Sequence, residues 1–270
     1  MKSRVMIGKV GVDRVNKQEV VTYIKSKVQE KTSALIVTPY SEMIVLAEYD
    51  SDFERSLIQS DLALPDGIGI LWASMFLSHK VSFFPSLMRI PSRHLALYQD
   101  FSEQVRGSEL IYDICDLADT EIFRVYVLGG RPEVIQAFCT KAEYDYPKMV
   151  ITGWFDEMIT SKTEMTEVFQ SVADSHSDIV FLNLSPPLQE KWGARLREFL
   201  QSQDRPGVIC CFGGSLDMMV GYQRVAPRII RWFGVEWLWR LIWNPRRIRR
   251  MYRAVIQFPL LIRRYKQSSI

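Results

Sequence analysis

The residue best placed for acid–base chemistry is Asp66, in the segment Pro65-Asp66-Gly67. An apolar run precedes this segment and a helical pattern follows it, so the aspartate is expected at a strand-to-helix turn. A carboxylate there can accept a proton from a hydroxyl group or hold a ribose hydroxyl. It can also be an ordinary turn residue that caps the next helix, and the segment alone favours this second interpretation.

Anion binding is indicated by two glycine pairs, Gly129-Gly130 and Gly213-Gly214, each at the end of an apolar run. Glycine lets the backbone approach a phosphate, and the N-terminus of a following helix attracts anions. The signal is weak, because neither pair belongs to a complete phosphate-binding motif. Gln189-Glu190 opens another helical pattern, where either side chain can face a ligand or Glu190 can simply complement the helix dipole.

Metal-ligand and nucleophile signatures are missing from the sequence. The three histidines, at 79, 94 and 176, lie far apart, and the four cysteines lack metal-ligand spacing. We therefore expect no metal site and no catalytic triad. Cys210 and Cys211 are adjacent within an apolar run, which predicts two buried free thiols on opposite faces of a strand and suits a reducing cytoplasm.

The elements that must position these residues follow from an alternation of apolar runs and helical patterns. The runs are short, continuous and rich in β-branched residues, as buried parallel strands are. They lie at 34–37, 62–64, 125–128, 149–151, 179–182 and 208–212, with helical patterns near 41–50, 53–60, 68–77, 132–143, 163–173 and 188–202. This alternation predicts an α/β, Rossmann-like layered fold with a mostly parallel sheet. Ligands of such sheets bind at the carboxyl ends of the strands, where Asp66 and both glycine pairs are expected.

The basic residues are concentrated at the end of the chain. The 270 residues include 34 Lys and Arg and 31 Asp and Glu, a net charge of +3. Residues 224–270 hold twelve of the basic residues and a single acid, so they carry +11, whereas residues 1–223 carry −8. After Asn244-Pro245, apolar residues and arginines recur at helical spacing, which predicts a basic amphipathic helix. Such a helix can lie on an anionic membrane, dock on protein or bind nucleic acid, and the pattern leaves the three open.

The chain is divided by this charge pattern into two predicted parts. Residues 1–223 are expected to form an α/β catalytic domain, and residues 224–270 a basic helical appendage. Within the first part, the stretch near 76–100 is apolar and basic, and residues 76–98 are a candidate second lipid-facing patch. The composition, 47% hydrophobic and 24% charged, excludes a disordered chain. We see no signal peptide and no run of about 18 apolar residues that would span a membrane.

Seven short segments, taken in order, resemble the WecG/TagA/CpsF glycosyltransferases. They lie at 38–42, 64–69, 127–130, 153–155, 187–192, 213–217 and 234–241. The resemblance runs from about residue 34 to residue 250. The Pro-Asp-Gly-Ile-Gly and Gly-Val-Glu-Trp-Leu-Trp-Arg-Leu segments are specific, and the order of all seven makes coincidence an unsatisfactory explanation.

The reaction that this resemblance implies is an inverting, metal-independent glycosyl transfer. N-acetylmannosamine, or a similar N-acetylhexosamine, would move from a UDP-sugar to a polyprenyl-diphosphate-linked sugar in teichoic acid or other cell-surface polysaccharide synthesis. No cofactor is implied besides the UDP-sugar donor. The enzyme would be peripheral on the cytoplasmic face of the plasma membrane, held to anionic lipid through residues 224–270. The resemblance is compatible with a homo-oligomer, and we expect no nucleic acid partner.

The resemblance also assigns residues to roles. Asp66 matches the family's proposed base, and Gln189 and Thr38 match other active-site positions. Without a metal, arginines and backbone N–H groups must meet the diphosphate charge, and the matching arginines are Arg240, Arg247 and Arg250. Their spacing puts them on one stripe if a single helix runs through Pro245. The other expected substrate-binding residues are Tyr40, Gly129, Gly130, Asn183, Glu190, Gly213, Gly214 and Asp217.

Several positions depart from the family pattern. Tyr40 stands where the pattern has asparagine, and Asn183 and Ser185 stand where it has glycines. Gln104 replaces an arginine, and roughly twenty residues near 76–100 are extra. These departures leave the donor sugar open. They also support an alternative from another class, a non-catalytic nucleotide- or RNA-binding protein that retains the fold.

Overall fold

The molecule is built around a six-stranded, all-parallel β-sheet. The computed structural model describes residues 3–90, 95–156, 164–223, 226–227, 229–230, 233 and 236–268. The strands, of which β1 and β2 form a separate antiparallel hairpin, are β1 (Arg4–Ile7), β2 (Val10–Asp13), β3 (Ala34–Val37), β4 (Leu62–Ala63), β5 (Arg124–Leu128), β6 (Val150–Phe155), β7 (Ile179–Leu182) and β8 (Val208–Cys211). The order across the sheet is β4-β3-β8-β7-β5-β6.

Helices cover both faces of this sheet, so the predicted α/β layered fold is confirmed. The helices of the α/β body are α1 (Lys17–Gln29), α2 (Ser41–Ala47), α3 (Ser51–Ile58), α4 (Ile68–Ser78), α5 (Phe83–Leu87), α6 (Gly107–Glu121), α7 (Pro132–Asp145), α8 (Met165–Asp174), α9 (Leu188–Ser202) and α10 (Ser215–Met219). A short 3₁₀ turn spans Leu95–Tyr98. Strands β3, β4, β5, β7 and β8 are buried on both faces apart from Arg124, because helices cover both faces of the sheet, whereas the edge strand β6 is partly exposed. Burial on both faces explains the continuous apolar runs.

Alternation along the strands divides the core into two layers. Helices α2, α3, α4, α8 and α9 pack on one face, and α1, α6, α7 and α10 on the other. Cys211 belongs to the first layer and its neighbour Cys210 to the second. Both are buried free thiols, as predicted, because successive side chains of a strand point to opposite faces.

Two structural features go beyond the predicted elements. The hairpin of β1 and β2 packs beside β4, where the Asp13 carboxylate accepts a hydrogen bond from the Ala63 N–H at 2.8 Å. Helix α1 begins with a capping box, in which the Asn16 side chain and the Glu19 side chain each bond the other residue's N–H. That Asn-x-x-Glu signal is legible in the sequence. The additional elements enlarge the body but leave the predicted parallel sheet unchanged.

The C-terminal segment is a succession of short helices rather than one. Helix α11 (Glu236–Trp243) is followed by a 3₁₀ turn (Pro245–Arg247), α12 (Ile248–Tyr252), a π turn (Arg253–Gln257) and α13 (Phe258–Ser268). Asn244 has φ −141° and ψ 85°, so the helix breaks before Pro245. The condition for one stripe of arginines, a single helix through Pro245, is therefore not met, because proline disfavours a helical residue before it and lacks an N–H. Asn244 is the N-cap of the turn that Pro245 opens, as the sequence predicts.

The last helix packs into the α/β body. Phe258 and Ile262 are fully buried in the same core layer as α2 and α4. Lys266 donates to the backbone carbonyl of Phe76 at 2.6 Å, near the end of α4. The predicted division at residue 223 stays a prediction. No helix in the described part of the chain is both long and apolar enough to cross a membrane.

Candidate active site

A cavity of about 1200 Å³ opens at the carboxyl edge of the sheet. It is lined by segments that follow five strands, and the C-terminal helices close one side. The predicted site residues that line it are Thr38, Tyr40, Asp66, Gly130, Asn183, Gln189, Glu190, Gly213, Gly214, Asp217, Arg247 and Arg250. The sheet order explains this assembly, because β4, β3, β8, β7 and β5 are consecutive neighbours.

Two predicted site residues fall outside this lining. Gly129 precedes the lining residue Gly130, and its N–H donates to the Phe155 carbonyl at 2.8 Å, so it joins β5 to β6. The backbone of Arg240 belongs to α11, but its side chain lies outside the part of the chain that the structure describes. The other twelve predicted site residues line the cavity.

Asp66 lies on a tight loop between β4 and α4. Its N–H donates to the Leu64 carbonyl at 2.8 Å, and the Pro65 carbonyl accepts from the Val105 N–H at 3.1 Å. Gly67 follows with φ +86°, a conformation that residues with a side chain rarely adopt, and becomes the N-cap of α4. The loop thus holds a half-buried carboxylate against the cavity, as a general base requires.

Thr38 and Gln189 are tied to the scaffold. The Thr38 hydroxyl donates to the Cys211 carbonyl at 3.1 Å, which links the ends of β3 and β8. Gln189 is buried, and its amide oxygen accepts from the N–H groups of Gly213 (2.8 Å) and Leu184 (3.3 Å). These contacts join the loops after β7 and β8. The two residues therefore position the cavity walls.

Glu190 is the most unusual carboxylate of the cavity. It is fully buried, and its Oε1 accepts from Gln189 Nε2 at 2.9 Å. Its Oε2 has no hydrogen-bond partner among the described residues. Burial raises the pKa of Glu190 to about 7, while the hydrogen bond from Gln189 and the charge of Arg250 act in the opposite direction. A buried, unpaired acceptor of this kind is suited to a donor group on a substrate.

A second unpaired acceptor belongs to Asn183, at the other wall. Asn183 Nδ2 donates to Asp217 at 3.4 Å, while Oδ1 is buried without a partner in the described structure. Gly130 lies so close that a Cβ there would be 2.5 Å from Asn183 Nδ2, with φ +119°. This contact explains the glycine. It also shows where the asparagine that replaces a family glycine has its side chain.

Arg250 is held by residues of α2 and its N-cap. Its Nε lies 2.8 Å from Glu42 Oε2, and Nη2 donates to the Tyr40 hydroxyl. Arg253 contacts the other carboxylate oxygen of Glu42 at 3.3 Å. Burial raises the pKa of Tyr40, which stays a neutral hydroxyl, although the Arg250 charge acts against the shift. The buried Glu42 carboxylate therefore fixes this predicted diphosphate ligand at the cavity wall.

Arg247 lies one turn before Arg250 and lines the same cavity. With the Gln223 amide oriented to satisfy both groups, its oxygen accepts from Arg247 Nη2 at 3.1 Å and from Nη1 at 3.3 Å. Across the described residues, no three His, Cys, Asp or Glu side chains form a group that could hold a metal ion. The basic side chains among the described lining residues are the four guanidinium groups of Arg106, Arg131, Arg247 and Arg250.

Comparison with known proteins identifies the family of this chain. The model of the glycosyl transferase WecG/TagA/CpsF family matches residues 5–83 and 86–269. The chain belongs to the WecG/TagA/CpsF glycosyltransferase family. The resemblance in the seven sequence segments and the prediction of an enzyme are thereby confirmed.

Three curated relatives of this glycosyltransferase share the name N-acetylglucosaminyldiphosphoundecaprenol N-acetyl-beta-D-mannosaminyltransferase. The protein of Bacillus subtilis (strain 168) is 28% identical over 227 residues, covering 84% of this chain and 78% of the relative. That of Bacillus spizizenii is 27% identical, covering 89% and 82%. That of Staphylococcus aureus (strain MW2) is 24% identical, covering 83% and 77%. The similarity thus covers most of each protein.

Two further arginines of this glycosyltransferase line the cavity and were missed from the sequence. Arg106 donates to Gln104 Oε1 at 2.9 Å and to Glu109 at 3.1 Å, and its buried Nε has no partner in the described structure. Gln104 replaces the family's arginine, so the neighbouring Arg106 was a legible signal. The guanidinium carbon of Arg131 lies 4.6 Å from the centre of the Tyr222 ring, and its Nη1 lies 3.9 Å from Asp217 Oδ1.

Proposed function

We propose that this glycosyltransferase moves an N-acetylmannosamine-like sugar from a UDP-sugar to a polyprenyl-diphosphate-linked N-acetylglucosamine, with inversion and without a metal. The product would feed a cell-surface polymer such as teichoic acid. The acceptor class and the sugar follow the names of the relatives. The observation that carries the proposal is that Asp66 shares one cavity with several arginines, since the reaction needs a base and cations together.

The proton of the reaction goes to Asp66. As the acceptor hydroxyl oxygen attacks the anomeric carbon of the donor, the carboxylate takes its proton. The bond between that carbon and the UDP oxygen breaks on the opposite face, which inverts the configuration. The position of Asp66, half-buried and lining the cavity, supports this role, because a general base must lie within reach of the hydroxyl that it deprotonates.

The negative charge that develops on the leaving diphosphate is met by guanidinium groups. Arg106, Arg131 and Arg247 all line the cavity, and arginine binds phosphate oxygens in a bidentate fashion. Arg106 supplies the guanidinium that the substitution at Gln104 removes. Arg250 is held by Glu42, so its contribution is a fixed positive field rather than a mobile clamp.

The sugar would be recognised by the unpaired acceptors of the cavity. Glu190 Oε2 and Asn183 Oδ1 are buried oxygens without a partner among the described residues. Hydroxyl or acetamido N–H groups of an N-acetylhexosamine would supply the missing donors, and a sugar that lacked them would leave these oxygens unsatisfied. Tyr40, in place of the family's asparagine, narrows the same cavity.

The C-terminal helices would hold the enzyme on the cytoplasmic face of the membrane. Ile248, Tyr252, Ile256 and Leu260 are exposed at every fourth residue. Four residues of an α-helix drift by about 40° around its axis, and the wider π turn at 253–257 counteracts that drift. The result is an exposed apolar stripe next to arginines, which is typical of interfacial helices.

The direct test is a donor panel. Release of UDP is measured for UDP-linked N-acetylmannosamine, N-acetylglucosamine and N-acetylgalactosamine, each with a short-chain prenyl-diphosphate-linked N-acetylglucosamine, in the presence and absence of EDTA. We expect acceptor-dependent release with the N-acetylmannosamine donor, unchanged by EDTA. Release with none of the donors, together with salt-dependent binding of RNA, would favour the non-catalytic alternative.

A further inference from the structure

We propose that one wall of the cavity binds the first isoprene units of the acceptor's lipid chain, an inference that rests on the proposed function. This prenyl wall consists of six apolar side chains from α4, the 76–100 stretch and the C-terminal helices: Trp72, Leu87, Ile90, Val255, Phe258 and Pro259. No residue of the wall carries a charge. A hydrocarbon chain is the ligand that gains most from such a wall, because its whole surface is apolar.

The wall is uncovered where it meets the cavity. Leu87, Ile90, Val255 and Pro259 are each partly exposed, although all line a concave surface. Trp72 and Phe258 are buried behind them. Partly exposed aliphatic side chains in a concavity are stabilised when an apolar ligand removes their remaining surface from water, at about 25 cal/mol per Å².

The wall is also built in advance of any ligand. Trp72 Nε1 donates to Ser86 Oγ at 3.1 Å, and Ser86 is fully buried although it belongs to the short helix α5. The ring of Trp72 packs edge-on against Phe83 at 6.2 Å and against Phe258 at 6.1 Å. These contacts fix α5 to α4 and α13. The protein therefore loses little conformational entropy when a prenyl chain binds.

The wall continues directly from the proposed catalytic loop. A Cβ on Gly69, three residues after Asp66, would lie 3.4 Å from Phe258 Cε1. Val255 follows Arg250 by five residues on the same run of helix, so a fixed cation and the apolar wall belong to one element. An acceptor with its hydroxyl at Asp66 and its diphosphate near the arginines would therefore extend its hydrocarbon along this wall.

The outer side of α5 carries the wall to the protein surface. Phe84 and Met88 are 73% and 74% exposed, and Leu260 of α13 is 46% exposed. Phe83, in contrast, packs inward on Trp72, so it belongs to the core rather than to a surface patch. A chain leaving the cavity meets apolar side chains at the exit, which fits a lipid whose remainder stays in a bilayer.

Binding of prenyl diphosphates of two lengths tests the proposal without any sugar transfer. Isothermal titration with geranylgeranyl diphosphate (20 carbons) and isopentenyl diphosphate (5 carbons) is performed in detergent-free buffer, below the micelle concentration of the longer probe. We expect the 20-carbon probe to bind at least about a hundredfold more tightly, because burial of each CH₂ contributes about 0.8 kcal/mol. Equal affinities would overturn the proposal.

Variants locate the binding to the wall. Leu87→Asn should weaken the 20-carbon probe about tenfold and leave the 5-carbon probe unchanged. Ile58→Asn, at a partly exposed position of α3 outside the cavity lining, is the control and should change neither affinity more than about twofold. Val255→Thr, which keeps shape, should give a smaller loss of the same kind and remains informative if Leu87→Asn unfolds. Equal losses in Leu87→Asn and Ile58→Asn would refute the wall.

The two hypotheses fail separately. A protein that binds prenyl chains by length but releases no UDP with any donor would keep the wall and lose the proposed transfer reaction. A protein that transfers sugar equally well to acceptors with 5-carbon and 20-carbon chains would keep the reaction and lose the wall.

Discussion

Thr38 and Gln189 use their polar atoms on the protein itself, although the sequence predicts both as catalytic. Thr38 bonds the end of β8, and Gln189 accepts two backbone N–H groups from different loops. The sequence predicts the residues correctly as part of one site. It cannot predict these bonds, because they connect positions up to 173 residues apart in the chain. Their role in the reaction stays a prediction, with positioning as the physical basis.

Replacement of Gln189 tests positioning. Gln189→Ala leaves the buried N–H groups of Gly213 and Leu184 without an acceptor, so we expect the free energy of unfolding to fall by about 3 kcal/mol. Urea denaturation measures this change. Gln201→Ala, at an exposed position of the same helix, should cost less than about 0.5 kcal/mol. Loss of activity in Gln189→Ala at unchanged stability would instead indicate direct contact with the substrate.

Glu190 gives a prediction for pH. Its folded pKa of about 7 lies above its ordinary value of 4.5, so the folded protein binds the extra proton. The associated stability is fully present below pH 4.5 and is lost as pH rises through about 7. Glu190→Gln removes the charge, so we expect the variant to be more stable than wild type by about 3 kcal/mol at pH 8 and by less than about 1 kcal/mol at pH 5.

Urea unfolding at the two pH values provides the measurement, since the difference between variant and wild type cancels the titration of other groups. Glu167→Gln, at an exposed position of α8, is the control and should show no such trend. A stability difference that is independent of pH would contradict the raised pKa of Glu190.

At the level of elements, the sheet was predictable and its order was not. Continuous β-branched runs indicate buried parallel strands, and all six predicted runs correspond to strands. The order β4-β3-β8-β7-β5-β6 depends on long-range pairing, which local sequence does not encode. That order is what brings the loops after β4, β3, β8, β7 and β5 to one cavity. The capping box of α1 and the helix start at Asn244-Pro245 can both be recognised in the sequence.

Helix α13 is predicted to stabilise the α/β body through Phe258. Phe258 is 1% exposed and packs on Trp72, so Phe258→Ala should lower the free energy of unfolding by about 3–5 kcal/mol. Leu260→Ala, two residues later on the exposed side, should cost less than about 1 kcal/mol. Thermal unfolding of both variants measures the contrast. Equal costs would mean that the C-terminal helix does not share the core of the α/β body.

Across the whole molecule, the basic residues of the C-terminal segment fall into two groups. Part of the +11 of residues 224–270 lies within the cavity, on Arg247 and Arg250. Other arginines flank the exposed stripe that includes Ile256 and Leu260. Charge counting along the sequence predicts an anionic partner. A charge count cannot say which arginines face the cavity and which lie beside the exposed stripe, because the π turn and the break at Asn244 determine the direction of each side chain.

Vesicle binding tests the proposed membrane contact. Replacement of Ile256 and Leu260 by Ser should lower sedimentation with phosphatidylglycerol vesicles about tenfold, because the apolar stripe loses two side chains. Ile58→Ser is the control, since Ile58 is 47% exposed and Ile256 is 46% exposed, but Ile58 lies on α3. Binding of the wild type should weaken with salt. Equal sedimentation of all variants would exclude the stripe as the membrane contact.

The most direct test of the account is the kinetic effect of Asp66→Asn. The variant keeps the shape of the loop between β4 and α4 but cannot accept a proton. With the N-acetylmannosamine donor and a prenyl-diphosphate-linked acceptor, we expect kcat to fall by about 10²–10⁴-fold, while the Kd for UDP, measured by titration calorimetry, changes less than about twofold. A near-normal kcat would show that Asp66 is not the base and would contradict the proposed mechanism.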